Sequence, residues 1–302
     1  MGIGTKTLKR AFDTVWARGS ITRKELSELI CISEVSAGRA IDSLVSAGLL
    51  SLSKGIVNGR STDIISASAD RSCLLIDLCE KGVSFSVSSR SEAESDIRSL
   101  SFLHMRDADA NLSIALSDIV KHIRTNGLRP DTVAVAIPNT AGSPDPKHFT
   151  DALSACGLHA DIIVSGADAA YKYFESASKK NKSFAFLSIA PVIWGFSSAD
   201  PSRMLDWGKI KVGAHHGESF ESVLSYDTDE EHLKIYLRRV LASLNAVLAP
   251  DKIFVASSFL PESVMNVIGE LSNAENVSHS NPIMGGLLCL AKDRLFEKFI
   301  LN

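Results

Sequence analysis

The chain has few cysteines and no long hydrophobic run, and both absences limit the class of protein it can be. Its 302 residues include five cysteines, an odd number, at scattered positions and without a C-x-x-C pair. This spacing favours neither a disulfide framework nor a cysteine zinc site, so we expect buried, reduced thiols. No stretch approaches the roughly 18 consecutive apolar residues of a membrane span, and the N-terminus lacks the apolar core of a signal peptide. We therefore expect a cytoplasmic protein without a membrane partner.

The chain has no excess of positive charge overall, but it has one near the N-terminus. The formal net charge of the whole chain is −3. Residues 1–66 nevertheless carry nine Lys or Arg and six Asp or Glu, a net charge of +3, so the remainder carries −6. This distribution fits a protein that contacts phosphates with one end only, although a charge of +3 predicts weak non-specific binding.

Residues 21–47 have the pattern of two short helices. Thr22 opens a T-x-x-E capping box with Glu25, which predicts the start of the first helix. A brief turn is expected around Cys31 and Ile32, and Ser33 is the expected N-cap of a second helix that runs to about Ala47. The expected buried side chains of the two helices are Leu26, Leu29, Ile30, Ala37, Ile41, Leu44 and Val45.

The segment that follows alternates apolar and polar residues. Gly48 is the expected C′ residue of the second helix. Residues 49–66 then alternate around turn signals at Gly55 and at Asn58-Gly59, which predicts a β-hairpin. Two helices and a hairpin in this order are typical of a winged helix-turn-helix that reads DNA in the major groove. The alternative is a small helical subdomain that only packs or dimerises.

The polar residues of this segment indicate how DNA would be contacted. Arg39 is expected on the outer face of the second helix, where its guanidinium fork matches the O6 and N7 acceptors of guanine. Lys54 and Arg60 flank the hairpin turn and are expected to reach the DNA backbone or minor groove. Glu34 would meet phosphate repulsion unless it accepts a hydrogen bond from cytosine N4, and Gly38 weakens the helix. The residues predicted to contact DNA are Arg23, Lys24, Ser33, Ser36, Arg39, Lys54 and Arg60.

Beyond a polar linker near residues 66–72, strand-like and helix-like segments alternate, which predicts an α/β body. We expect one domain at residues 1–68 and a second at residues 69–302. Strands are predicted at residues 73–78, 82–89, 132–138, 160–165, 183–190 and 252–257. Helices are predicted at residues 110–127, 167–180, 230–248, 261–272 and 285–300.

This order resembles the ROK family of repressors and sugar kinases. Residues 32–50 look like the family's recognition helix, and residues 58–66 look like its wing strand with the G-R signature. Six body segments follow in family order: residues 73–87, 133–139, 164–175, 183–196, 208–221 and 251–259. The resemblance implies a winged helix-turn-helix followed by a two-lobed, actin-like body of the ribonuclease H-like and sugar-kinase-like type.

The chain lacks the glycines that this family uses to bind nucleotide. Such a site needs glycines because backbone amides must approach phosphate oxygens without an intervening Cβ. At the first turn Asp77 is kept, but Leu78, Cys79 and Glu80 replace the Gly-rich sequence. Ala190, Pro191, Val192 and Trp194 occupy the second turn, and Ala256, Ser257 and Ser258 occupy the third.

The residues of catalysis and metal binding are also replaced. The resemblance places the general base at Ala167, and Asp168 beside it is more simply an N-terminal helix residue. The family's E-x-G-H sequence survives only as Glu218, and the cysteine-rich zinc loop is absent. His215 and His216 lack partners at metal-ligand spacing. We therefore expect no catalytic residue, no metal site and no cofactor.

These observations predict a sequence-specific DNA-binding transcriptional regulator, a repressor, that binds a palindromic operator as a homodimer. Its body would be a catalytically inactive relative of sugar kinases that serves dimerisation and sensing of a sugar or sugar phosphate. The polar groups expected near the former sugar cleft are Asn139, Asp168, His216 and Glu218; the alternative is that they are ordinary loop residues of an empty cleft. Two rival functions remain, an active sugar kinase and a DNA-bound scaffold without an effector.

Overall fold

The fold is known from a computed structural model, which describes residues 3–57, 59–79, 82–88, 97–101, 108–137, 146–177, 183–189, 193–198, 200–205, 229–257, 260–278 and 280–301. Across these ranges, every helix is too short or too polar to cross a membrane. The chain divides into two compact units. Unit 1 comprises Met1–Ile137, Pro144–Ile163 and Leu287–Asn302, and unit 2 comprises Pro138–Ser143 and Val164–Gly286.

The N-terminal part of unit 1, residues 3–67, contains three helices and a small sheet, and we call it the head. In chain order its elements are α1 Thr5–Arg18, β1 Ser20–Thr22, α2 Arg23–Leu29, α3 Glu34–Ser46, β2 Leu50–Val57 and β3 Arg60–Ala67. The sheet is antiparallel with strand order β1-β3-β2. Its core consists of fully buried apolar side chains, among them Phe12, Val15, Leu26, Ile41, Leu44 and Ile65.

The rest of unit 1 is built on a five-stranded sheet with strand order β6-β5-β4-β7-β8. Its elements are β4 Cys73–Cys79, β5 Gly82–Ser88, β6 Arg98–Ser101, α4 Ala108–Thr125, β7 Thr132–Ile137, α5 Pro146–Ala155 and β8 Ile162–Ser165. Strands β4 and β7 are parallel, whereas β4 and β5 form an antiparallel hairpin. Apolar side chains of β4, β7, α4 and α5 form one buried cluster.

Unit 2 contains a second five-stranded sheet, with strand order β11-β10-β9-β12-β13. Its elements are α6 Gly166–Ala177, β9 Phe184–Ile189, β10 Ile193–Ser197, β11 Asp200–Leu205, α7 Glu230–Leu248, β12 Lys252–Ser257, α8 Glu262–Met265, a 3-10 helix Asn266–Glu270, β13 Ala274–Asn276 and the start of α9 Pro282–Ile300. Phe174 of α6 stacks on Phe254 of β12 at a centroid distance of 4.3 Å. Aromatic side chains thus join a helix to the sheet within this unit.

Most predicted elements are present, but several expectations were wrong. The sequence pattern missed α1, α5 and the strands β1, β6, β10, β11 and β13. The single helix expected at residues 261–272 is α8 followed by the 3-10 helix. Leu29 was expected to be buried and is 47% exposed, because the buried side of the last turn of α2 is formed by Leu26 and Ser27. Cys31 is an exposed free thiol rather than a buried one.

Candidate nucleic-acid interface

The start of α2 is fixed by the predicted capping box. The backbone amide of Thr22 donates to Glu25 Oε2 at 2.8 Å, and the amide of Glu25 donates to Thr22 Oγ1 at 3.2 Å. The hydrogen bond from the Thr22 amide lowers the pKa of Glu25, so the carboxylate stays charged. Free amides at the helix start are thereby satisfied, which sets the direction of α2.

The turn between α2 and α3 is sharp and is held from two sides. Cys31 has φ +53°, in the left-handed region, and this reverses the chain within a few residues. The amide of Ile32 donates to the carbonyl of Ser27 at 3.0 Å. From α1, Arg10 donates to the carbonyl of Ile30 at 2.9 Å. The angle between α2 and α3 is therefore fixed by hydrogen bonds as well as by apolar packing.

Helix α3 begins where the sequence predicts and exposes a stripe of four residues. Ser33 is its N-cap and accepts a hydrogen bond from the Ser36 amide at 3.2 Å. Ala37, Gly38, Ala40, Ile41 and Leu44 are buried. At 100° per residue the opposite side is centred on every third or fourth position. This side carries Val35, Arg39, Asp42 and Ser46, all exposed, and we call it the outer stripe.

The predicted DNA-contacting residues of α3 are not equivalent. Arg39 lies in the outer stripe, and none of the described residues forms an ion pair or side-chain hydrogen bond with its guanidinium group. The Ser33 hydroxyl donates to the Ser36 hydroxyl at 3.0 Å, so both belong to the helix cap. To contact DNA, either serine has to share a group that the cap already uses. Arg39 needs no such exchange.

Arg23 lies beside α3 at Gly38. A Cβ at residue 38 would lie 3.5 Å from the Cζ atom of Arg23, an ordinary van der Waals distance, so contact with Arg23 does not require a glycine there. Lys24 differs from Arg23, because its Nζ atom lies 4.0 Å from Glu28 Oε1.

Strands β2 and β3 of the head form a long hairpin. Eight residues pair in register, from Leu50 opposite Ala67 to Val57 opposite Arg60. Gly59, one of the two predicted turn residues, has φ +73° and precedes β3, whereas Asn58 lies outside the described residues. Gly55, which was expected at a turn, lies within β2. A Cβ there would lie 2.6 Å from Cγ1 of Ile64, so this glycine makes room for a neighbouring side chain.

The basic residues of the hairpin differ in whether they are already paired. Lys54 Nζ lies 2.6 Å from Asp63 Oδ1 across the hairpin, and this hydrogen bond lowers the pKa of Asp63. Arg60 is exposed, and within the described part of the chain no acidic group pairs with it. The predicted backbone contact of Lys54 therefore competes with Asp63, whereas that of Arg60 does not.

The head is attached to the C-terminal part of α9, within unit 1. Lys9 Nζ lies 2.6 Å from Asp293 Oδ1, and Lys292 Nζ lies 2.9 Å from Asp13 Oδ1. Between these pairs the rings of Phe12 and Phe296 pack with their centroids 5.7 Å apart. These contacts join α1 to α9.

Of the body residues predicted to bind a ligand, only Asp168 lies in the described part of the chain; Asn139, His216 and Glu218 lie outside it, as do His215 and Glu80. The Ser165 hydroxyl donates to Asp168 Oδ2 at 2.7 Å, and the Asp168 amide donates back to Ser165 Oγ at 3.0 Å. Asp168 is thus part of the cap of α6. Its neighbour Ala167, at the position that the resemblance gives to the general base, is buried.

Asp77 is the one acidic residue of the body whose titration is strongly displaced, among those the structure describes. It lies in β4, opposite Ser84 of β5 and beside Ala136 of β7. Burial raises its pKa to about 7. Desolvation disfavours the charged carboxylate, and no described side chain compensates it.

Sequence reasoning missed two residues of the candidate interface, Val35 and Asp42. Both lie in the outer stripe with Arg39, at spacings of four and three residues. The signal was present in the helical period, because positions 35, 39, 42 and 46 share a face.

No protein-family model matches the chain, and no curated protein matches it in sequence. Solved structures do. A ROK family transcriptional regulator, a homologue of the E. coli Mlc protein, superposes with a TM-score of 0.60 at 14% identity, covering 98% of this chain and 98% of that one. The inorganic polyphosphate/ATP-glucomannokinase from Arthrobacter sp. strain KM gives a TM-score of 0.55 at 13% identity, covering 72% of this chain and 97% of that one.

A third similar structure is a ROK family glucokinase from Streptomyces griseus in complex with glucose and AMPPNP, with a TM-score of 0.50 at 12% identity. It covers 74% of this chain and 99% of its own. At identities this low, the superpositions establish similarity of fold alone. The resemblance to ROK proteins inferred from the sequence is therefore confirmed at that level: the chain is a mixed α/β protein with the fold of the ROK family regulators and sugar kinases.

Proposed function

We propose that the protein is a sequence-specific DNA-binding transcriptional regulator, acting as a repressor. In this proposal the head is a winged helix-turn-helix, with α3 as the recognition helix and the β2–β3 hairpin as the wing. The body is a catalytically inactive relative of ROK sugar kinases that dimerises the protein and senses a sugar or sugar phosphate.

The observation that carries the proposal is the outer stripe of α3. An arginine and an apolar side chain on one exposed helix face can together contact base edges in the major groove. Here Arg39 has no partner in the described part of the chain, and Val35 is 67% exposed. The helix is held rigidly by its caps and by the turn at Cys31, so these side chains are presented from a fixed support.

The extent of the structural similarity supports the same proposal. The regulator covers 98% of this chain, head included, whereas the glucomannokinase covers 72%. A protein built only for sugar phosphorylation has no need of the head. The net charge of +3 on residues 1–66 is consistent with contacts to phosphates at this end.

The test is selection of duplexes from a random pool by the full-length protein. A dimer is expected to select a palindrome whose half-sites are about 10 base pairs apart or a multiple of that spacing, because two heads meet the same face of the helix at whole turns. Recovery of no common sequence would overturn the proposal. A protein that sediments as a monomer at micromolar concentration, with and without the selected DNA, would overturn its dimeric part.

Sugar phosphorylation is the second candidate, and the similarity of the body to ROK kinases favours it. Against it, general-base catalysis needs a carboxylate at the sugar hydroxyl, and the corresponding residue is Ala167. The adjacent Asp168 bonds Ser165 in the cap of α6. We expect no hexose-dependent release of ADP from ATP. If hexose raised the release of ADP above background, and a substitution of Asp168 abolished that increase, the sugar-kinase function would be supported instead.

The effector part of the proposal concerns Asn139, Asp168, His216 and Glu218. A sugar that binds the folded protein raises its apparent stability by mass action, so a screen of sugars and sugar phosphates by thermal shift tests it directly. A hit that weakens operator binding would support a sensor. If none of the compounds shifts the melting temperature, the DNA-bound scaffold without an effector becomes the better account of the body.

A further inference from the structure

Val35 is an exposed apolar residue on the helix face that carries Arg39. It is 67% exposed, whereas Ala37, Ile41 and Leu44 on the opposite face are fully buried. Single exposed apolar residues are common on proteins, so exposure alone gives Val35 no function. Its position does: it is the first residue of the outer stripe and lies one helical turn before Arg39.

We infer that Val35 recognises a thymine methyl group in each half-site of the operator. The inference rests on the proposed function. Thymine carries the apolar group of the major-groove base edges, and the isopropyl group of valine neither donates nor accepts a hydrogen bond. When an exposed valine enters the groove, covering that methyl group therefore favours binding, whereas covering the polar edges of the other bases disfavours it.

The spacing of the stripe fixes where this thymine lies. Residues four apart on a helix have their Cβ atoms about 5 to 6 Å apart. Stacked base pairs are separated by about 3.4 Å along the duplex. Val35 and Arg39 therefore contact base pairs that are one or two steps apart, so the thymine read by Val35 lies next to, or one removed from, the guanine read by Arg39.

The experiment replaces each thymine of the selected operator, one at a time, by deoxyuridine, which differs only in lacking the methyl group. For the wild-type protein we expect one position per half-site at which the affinity falls about fourfold, the effect of uncovering one buried methyl-sized group. The position should lie within two base pairs of the guanine whose replacement the Arg39→Ala variant tolerates.

A double-mutant cycle then assigns the effect to Val35. In the Val35→Ala variant the penalty for deoxyuridine at that position should fall below twofold. The matched control is Val247→Ala, a valine of α7 in the body that is 77% exposed and should leave the penalty unchanged. Both valines are exposed, so neither variant is expected to lose stability, and thermal melts verify this.

The outcomes separate the two levels of the argument. If the protein selects an operator but no thymine-to-deoxyuridine change weakens binding, the thymine contact is wrong while DNA binding stands. A penalty that persists in Val35→Ala also overturns it, because another residue then covers the methyl group. Failure to select any operator overturns the proposed function itself, and with it this inference.

Discussion

Arg39 of the head and Asp168 of the body are both exposed charged residues in the first half of a helix, yet the contacts of their charged groups differ. Asp168 accepts a hydrogen bond from Ser165 at 2.7 Å and closes the cap of its own helix. Within the described part of the chain, no side chain accepts a hydrogen bond from the Arg39 guanidinium. The comparison separates a polar group that serves the fold from one that is available to a partner.

Asp77 is a third case: it lies partly buried in β4, and no side chain in the described ranges compensates its charge. Burial raises the pKa of this carboxyl group to about 7, so near neutral pH it is partly protonated. A buried acid without a compensating charge destabilises the folded state whenever it is ionised. Each of these three conditions predicts a different response to substitution.

The largest effect is expected at Arg39. Arg39→Ala should weaken operator binding by about fivefold to about 150-fold and relax the preference at one base pair, because a bidentate contact to guanine is worth about 1 to 3 kcal/mol. Competition binding with operators altered at single positions measures both effects. Asp168→Ala is the control and should leave DNA affinity unchanged. Equal losses in the two variants would show that the comparison is wrong.

The second effect is a pH dependence that comes from Asp77. Its pKa is 3.8 in the unfolded chain and about 7 in the folded protein. Between these values the folded state holds a proton that the unfolded state has released, so the free energy of unfolding falls as the pH rises through this window and levels off above it. Below pH 3.8 both states are protonated and the residue contributes no pH dependence.

Asp77→Asn removes this ionisation while keeping the size of the side chain. The variant should match the wild type near pH 4 and exceed its stability at pH 8 by on the order of 2 kcal/mol. Denaturant unfolding of both proteins at the two pH values measures the difference. Equal stability at pH 8 would mean that the carboxylate is solvated or compensated in the folded protein.

The cap of α6 should give a smaller effect, confined to stability. Ser165→Ala removes the hydroxyl that accepts from the Asp168 amide and should cost about 1 kcal/mol, the usual contribution of a serine N-cap. Ser33→Ala is the matched change in the head, because Ser33 caps α3 in the same way. Both variants should lose stability, but only Ser33→Ala should also weaken DNA binding, since it loosens the recognition helix.

The local chemistry of the head could be predicted from the sequence. The T-x-x-E box, the Ser33 cap and Gly48, which has φ +69°, are signals that lie within a few residues of the structure they specify. Helix α1 has no side-chain cap at its first turn, so a cap signal does not reveal it. Its buried residues Leu8, Ala11, Phe12, Val15 and Trp16 recur at helical spacing, and this period is the signal that the sequence carries.

The candidate site was predicted less completely than the fold. Arg39 follows from its residue type, but the state of the other basic residues depends on contacts across the hairpin and between helices. Lys54 meets Asp63 only because the register of β2 and β3 sets them opposite one another. Arg23 of α2 lies against Gly38 of α3, a contact that depends on how the two helices pack. Neither contact can be read from a single segment of sequence.

The smallest expected effect tests whether the pairing of Lys54 restrains its contact with DNA. Lys54 Nζ lies 2.6 Å from Asp63 Oδ1, so a phosphate has to compete with this carboxylate. Asp63→Asn should raise the affinity for all sequences alike, by about threefold, and should steepen the slope of log affinity against log salt by about one counterion, because one more cation faces the DNA backbone. Titrations at several salt concentrations, with operator and with unrelated DNA, measure the slope.

Removing a negative charge near DNA would strengthen binding even without Lys54, and the double variant Lys54→Ala/Asp63→Asn separates the two causes. If Asp63 acts by holding Lys54, the gain from Asp63→Asn should disappear in the Lys54→Ala background. A gain of the same size there would mean that Asp63 only repels phosphate and that its ion pair with Lys54 has no bearing on DNA binding.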